Sequence, residues 1–130
     1  MWGHEHIDEV VQELDQLVRN LNSEADSRSV VIVEGKRDLA ALRSLGFRGE
    51  AVMLCHNGSI SGLAENVSRY RKTILLLDLD KEGRSLTAKA ASLLQGRTTI
   101  DLSYRRKLGL IGKGRIRHVE ELSRFREYLA

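Results

Sequence analysis

Four short aliphatic runs, Ser29–Glu34, Glu50–Leu54, Thr73–Asp78 and Thr98–Leu102, punctuate this chain, and the intervals between them are filled by residues of helical spacing. Runs this short, rich in Val, Ile and Leu and without an alternating polar residue, read as strands buried on both faces of a sheet. Between them, Leu39, Leu42 and Leu45 mark one helix, Leu63, Val67 and Tyr70 a second, and an alanine- and leucine-rich stretch to about Gln95 a third. Asp38 can cap the first of these, and Gly46 can end it. Ile7, Val10, Val11, Leu14, Leu17, Val18 and Leu21 place an amphipathic helix before the first strand, while Val119, Leu122, Phe125 and Leu129 mark a closing one. Strands alternating with helices build βαβ units joined by right-handed crossovers. The expected fold is therefore α/β, with a central, mainly parallel four-stranded sheet and helices on both faces.

The chain has 130 residues, no proline, no repeat and no low-complexity segment, so a single domain over residues 1–130 is expected. No apolar run approaches the ~20 residues that cross a bilayer, and the acidic, periodic N-terminus is neither a signal nor a transit peptide. Cys55 is the only cysteine, which excludes an intrachain disulfide and a multi-cysteine zinc site. A cytoplasmic protein without a membrane partner is expected. Charge is unevenly distributed. Residues 1–34 carry two basic and eight acidic side chains, residues 35–100 eleven and six, and residues 101–130 eight and four. Tyr104–Arg117 holds Arg105, Arg106, Lys107, Lys113, Arg115 and Arg117 with no acidic residue. Such an asymmetry points to a polyanionic partner.

In open parallel sheets, sites form beyond the carboxyl ends of the strands, where the strand order reverses. The first run ends in Glu34-Gly35 and the third in Asp78-Leu79-Asp80-Lys81-Glu82-Gly83. If those strands are neighbours, Glu34, Asp78 and Asp80 converge on one rim. Clustered carboxylates repel one another unless a cation is present, and hard oxygen ligands suit Mg²⁺ or Mn²⁺. Gly83 lets the chain turn into the next helix, and Lys81 and Arg84 add positive charge beside the carboxylates. Asp38 reads as a helix cap ahead of a metal ligand. His56 stands at the same rim and is a candidate phosphate contact; His4 and His6 read as surface residues and His118 as structural.

Val30-Val-Ile-Val-Glu-Gly-Lys-Arg-Asp38, followed by Ile74-Leu-Leu-Leu-Asp-Leu-Asp-Lys-Glu-Gly-Arg84, resembles the Toprim domain, over about residues 29–102. That domain is shared by topoisomerases, bacterial-type primases, recombination-repair proteins, old-type nucleases and the nuclease that matures 5S ribosomal RNA. The whole chain is similar in size to small stand-alone, primase-like Toprim proteins. The resemblance implies a Rossmann-like three-layer sandwich, extended here by an N-terminal helix and a basic C-terminal segment. It implies that Glu34 is a general acid/base or ligand, that Asp78 and Asp80 bind metal, and that Gly35 and Gly83 are motif glycines. Lys81-Glu82-Gly83-Arg84 departs from the Arg-Glu-Gly-Glu frequent in topoisomerases.

No tyrosine-bearing breakage module, zinc module or helicase-binding tail is present in the sequence, so a complete topoisomerase or replicative primase is not expected. The expected function is Mg²⁺-dependent phosphodiester chemistry on RNA or DNA, most simply as a nuclease. A primase-like nucleotidyl transferase and a non-catalytic nucleic-acid-binding module stay open as alternatives. Lys36, Arg37, Lys81 and Arg84 are expected to hold phosphates. Arg105, Arg106, Lys107, Lys113, Arg115 and Arg117 are expected to form an electrostatic track along the backbone.

Overall fold

The computed structural model describes residues 4–24, 28–54, 60 and 62–129, with side chains described from Ile7 onward. Helix α1 spans His4–Ser23 and leads into strand β1, Ser29–Val33, which is buried along its whole length. Helix α2 (Lys36–Ser44), strand β2 (Ala51–Met53), helix α3 (Leu63–Val67) and strand β3 (Lys72–Leu75) follow. Helix α4 (Lys81–Leu94), strand β4 (Thr99–Asp101) and helix α5 (Ser103–Gly112) complete the alternation. A 3-10 segment, Val119–Phe125, runs into a short helix α6, Arg126–Leu129.

The described strands form one sheet in the order β2-β1-β3-β4, and every pairing is parallel. Because successive side chains of a strand point to opposite faces, the two faces carry separate cores. Val31, Val33, Ile74 and Leu76 face α1, α2, α5 and the 3-10 segment through Leu14, Leu42, Leu108 and Leu122. Val30, Ile32, Leu75 and Leu77 face α3 and α4 through Leu63, Val67, Ala90 and Leu94. This is the three-layer α/β arrangement expected from the sequence.

Two segments differ from the sequence reading. The stretch after β4, legible in sequence only as basic and glycine-containing, is a helix: Tyr104, Leu108 and Ile111 fall on one face and are buried, so packing overrides the weak helix propensity of its glycines. The closing segment is 3-10 helix before it is α. Val119, Leu122 and Phe125 recur at intervals of three, which matches three residues per turn, and all three are buried.

Strand order sets the position of the site. From β1 the chain steps to one side for β2, then crosses back over β1 to β3, so the order reverses between the carboxyl ends of β1 and β3. Ile32 pairs with Leu75; carried forward two residues, that register sets Glu34 beside Leu77 and Asp78. The sheet ladder continues to this level, since the Leu76 N–H donates to the Ile32 carbonyl at 2.9 Å.

Candidate metal centre

Five side chains meet at the reversal point. Glu34, Asp38 and Asp78 offer ligand atoms within 4.8 Å of one another, and so do Asp78, Asp80 and His118. Asp78 belongs to both groups and joins them.

Each aspartate is held by backbone. Asp78 is buried, and its Oδ1 accepts the Val119 N–H at 2.8 Å. Asp80 is the N-cap of α4 and accepts the Gly83 N–H at 2.7 Å, which, with His118, keeps its carboxyl below the usual carboxylate range against the opposing effect of burial. Gly83 is a steric requirement, because a Cβ there would collide with the Asp78 carbonyl. Gly35, by contrast, has extended backbone and open space around it, so this fold does not itself demand a glycine there. Asp38 occupies the third position of α2, where Oδ2 accepts the N–H of the N-cap Gly35 at 3.1 Å. The helix thus begins at Lys36, ahead of the cap position expected at Asp38, and Asp38 bonds back to the cap from within the first turn while also standing in the acidic cluster. Burial and the Asp78 charge raise its carboxyl above the ordinary value, opposed by N–H groups of Gly35 and Glu120.

Glu34 is the exception. Its Oε1 is the one buried side-chain polar atom without a hydrogen-bond partner among the described residues. Burial first, then a hydrogen bond shared with Asp78 and the charges of Asp78, Asp38 and Asp80, push its carboxyl up to about 8. A buried oxygen amid like charges is satisfied by a cation or by a proton. The donor set of four carboxylates and one imidazole fits a divalent metal such as Mg²⁺ or Mn²⁺, with Mn²⁺ better suited to the nitrogen ligand.

His118 and the backbone N–H groups of Val119 and Glu120 come from the start of the 3-10 segment, where unpaired N–H groups favour nearby carboxylates. His118 Nε2 lies 3.1 Å from Asp80 Oδ2. Its Nδ1 lies 3.4 Å from Glu121 Oε2, which also accepts the N–H groups of Arg117 and His118 at 3.0 and 2.7 Å. The segment is tied down again where the Leu79 N–H donates to the Arg117 carbonyl at 2.7 Å. His118, read from sequence as structural, therefore reaches the site. Nothing in its local sequence marks it; it stands far along the chain from Asp80, and only the return of the C-terminal segment joins them.

The basic residues are distributed rather than aligned. Lys36, Arg37, Lys81 and Arg84 are exposed at the starts of α2 and α4, beside the carboxylates. Helical turning in α5 separates Arg105 from its neighbours: Arg105 Nη2 donates to the Asp78 carbonyl at 2.7 Å, whereas Lys107 lines a groove between α1 and α5 with Glu13 and Gln16. Arg106, Lys113, Arg115 and Arg117 are exposed. His56 and Cys55 lie outside the described residues.

The Toprim domain model matches residues 29–108, and the chain belongs to the Toprim family. It is 42% identical over 93 residues to a UPF0292 protein of Thermococcus gammatolerans, covering 71% of this chain and 69% of that one. A UPF0292 protein of Methanosarcina barkeri is 30% identical over 114 residues, covering 86% and 79%. A solved structure of an Aquifex aeolicus protein superposes with a TM-score of 0.70 at 26% identity, covering 83% of this chain and 96% of that one. Toprim domains bind divalent metal and serve nucleic-acid-related functions, and this chain carries an acidic cluster that can hold such an ion. Among the described residues, no helix is long and apolar enough to cross a membrane.

Proposed function

We propose that this chain carries out Mg²⁺-dependent phosphodiester chemistry on nucleic acid, acting as a cytoplasmic nuclease on RNA or DNA. The observation that carries this reading is Glu34: a buried, unpartnered carboxyl oxygen, with its titration raised to about 8, at the centre of four other potential ligands. Asp78, Asp80 and His118 would hold one ion, with Glu34 and Asp38 available to a second or to the same one. When bound, the metal neutralises charge on the scissile phosphate. Glu34, with one carboxyl oxygen buried and unpaired beside Asp78, is assigned the role of accepting a proton from an attacking water or returning one to a leaving oxygen. Glu121 orients His118, as carboxylates commonly orient metal-binding imidazoles. Lys36, Arg37 and Lys81, exposed beside the cluster, hold the strand through its phosphates.

The test is cleavage of structured RNA and of DNA with Mg²⁺ or Mn²⁺, comparing the wild type with Glu34→Gln and Asp78→Asn. Both variants are expected to lose activity while keeping a cooperative unfolding transition. Salt-sensitive binding without cleavage by the wild type would replace the nuclease reading with that of a binding module. Unchanged cleavage by both variants would remove the site from the chemistry.

A further inference from the structure

Beside the acidic cluster, on the Leu79 side of the turn that carries Asp78 and Asp80, lies a cavity of about 300 Å³ lined by Arg84, Arg105 and Arg117. The three guanidinium groups come from three places: Arg84 from the first turn of α4, Arg105 from α5, and Arg117 from the segment that leads into His118. Leu79 and Ile116 supply an apolar part of the wall, and no carboxylate lines it. Among the described residues, Arg84 and Arg117 form no ion pair with an acidic side chain. Arg105 is fixed by the carbonyls of Leu77 and Asp78, at 3.3 and 2.7 Å. Burial, and then the neighbouring Arg84 charge, lower its titration from the ordinary guanidinium value.

Three arginines around a concave space with no carboxylate in its wall favour an anion, although Arg105 also feels the charges of Asp80, Asp78 and Glu34 beyond that wall. A phosphodiester within a strand brings one negative charge and two unesterified oxygens. A phosphate monoester brings nearly two charges and three strong acceptor oxygens, a better match to the guanidinium forks of Arg84 and Arg117 together with the donors and charge that Arg105 keeps beyond its two carbonyl bonds. We propose that this cavity binds a phosphate monoester, the terminal phosphate of a nucleic-acid strand or of a nucleotide, next to the metal centre. That the ligand is nucleic-acid-derived rests on the function proposed above. The cavity and the cluster share their framework: Leu79 separates Asp78 from Asp80, Arg117 precedes His118, and the two segments are hydrogen-bonded through Leu79 and Arg117. A terminal phosphate held there would direct the metal centre to a bond near an end.

The experiment is equilibrium binding in EDTA, which keeps it independent of cleavage. Single-stranded oligonucleotides bearing a 5′-phosphate or a 3′-phosphate are compared with their hydroxyl-ended twins, with a nucleoside monophosphate as competitor. At least one phosphorylated end is expected to bind about tenfold more tightly than its hydroxyl twin, a difference of about 1.4 kcal/mol. Arg84→Gln and Arg117→Gln, both at exposed positions, are expected to weaken the phosphorylated strand more than its hydroxyl-ended twin, so that the ratio between the two falls to about one. Competition by the nucleoside monophosphate as strong as by the phosphorylated strand assigns the cavity to nucleotides, and weaker competition assigns it to strand ends. Equal binding of phosphorylated and hydroxyl-ended strands overturns the proposal, as does a preference that survives in both variants. A wild-type protein with an end preference that cuts nothing would retain this pocket and lose the nuclease reading. One that cuts without an end preference would do the reverse.

Discussion

Glu34 and Gly83 show how much one position can determine here. A carboxyl with a folded-state titration raised from 4.5 to about 8 holds a proton that the unfolded chain has already released. Its favourable contribution is complete below about 4.5 and is lost as pH rises through about 8. Metal-free protein is therefore expected to lose stability across that interval, as followed by thermal unfolding in EDTA. Glu34→Gln should flatten the profile, and saturating Mg²⁺ should do the same in the wild type. A wild-type profile identical to that of the variant would contradict the burial assigned to this carboxyl. Gly83→Ala tests the turn itself. Its methyl group would press on the Asp78 carbonyl, and an expected loss of about 1–3 kcal/mol, typical of overpacking, can be read by denaturant unfolding.

Among the elements, the 3-10 segment decides whether the rim becomes a site. Val119, Leu122 and Phe125 anchor it in the core that also holds Leu42 and Leu108. From that anchorage it presents His118 and the N–H groups that meet Asp78 and Asp38. Leu122→Ala should lower stability by about 2–5 kcal/mol, as cavity-forming substitutions do, and should also weaken metal binding at temperatures where the protein remains folded. An unfolding transition that shifts while metal affinity stays constant would show that the segment only covers the core. The same element marks the limit of what could be read in the sequence. Glu34-Gly35 and Asp78-x-Asp80 were legible because a parallel sheet exposes its strand ends and each motif directly follows an aliphatic run. Asp38 was half legible: its spacing after Gly35 speaks of a cap, and the proximity of Asp78 follows only from the pairing of β1 with β3. His118 was not legible, because its partner Asp80 is reached only when the chain after α5 folds back. The directions taken by the basic stretch were not legible either. Its charges suggested an electrostatic track, and helical turning in α5 sends Arg105 toward Asp78 and Lys107 toward α1.

At the scale of the whole molecule, two separate cores clamp a sheet whose strand order reverses between β1 and β3, and the acidic cluster forms at that reversal. Residues 35–130 carry an excess of positive charge, and Lys36, Arg37, Lys81 and Arg84 are exposed next to a local negative centre, an arrangement in which long-range attraction brings a polyanion near and a divalent cation permits close approach. Binding to nucleic acid should therefore weaken linearly in logarithmic terms as salt rises, and a salt-independent affinity would contradict this picture. A bound ion should also stabilise the fold, by about 2.7 kcal/mol at a free concentration one hundred times its Kd. The most direct test is calorimetric titration of Mn²⁺ at pH about 8, where Glu34 is substantially ionised, into the wild type, Asp78→Asn and His118→Ala. Saturable binding by the wild type, lost by at least about tenfold in Asp78→Asn and weakened in His118→Ala, is the expected result. Equal affinity in all three proteins would contradict a metal centre between β1 and β3.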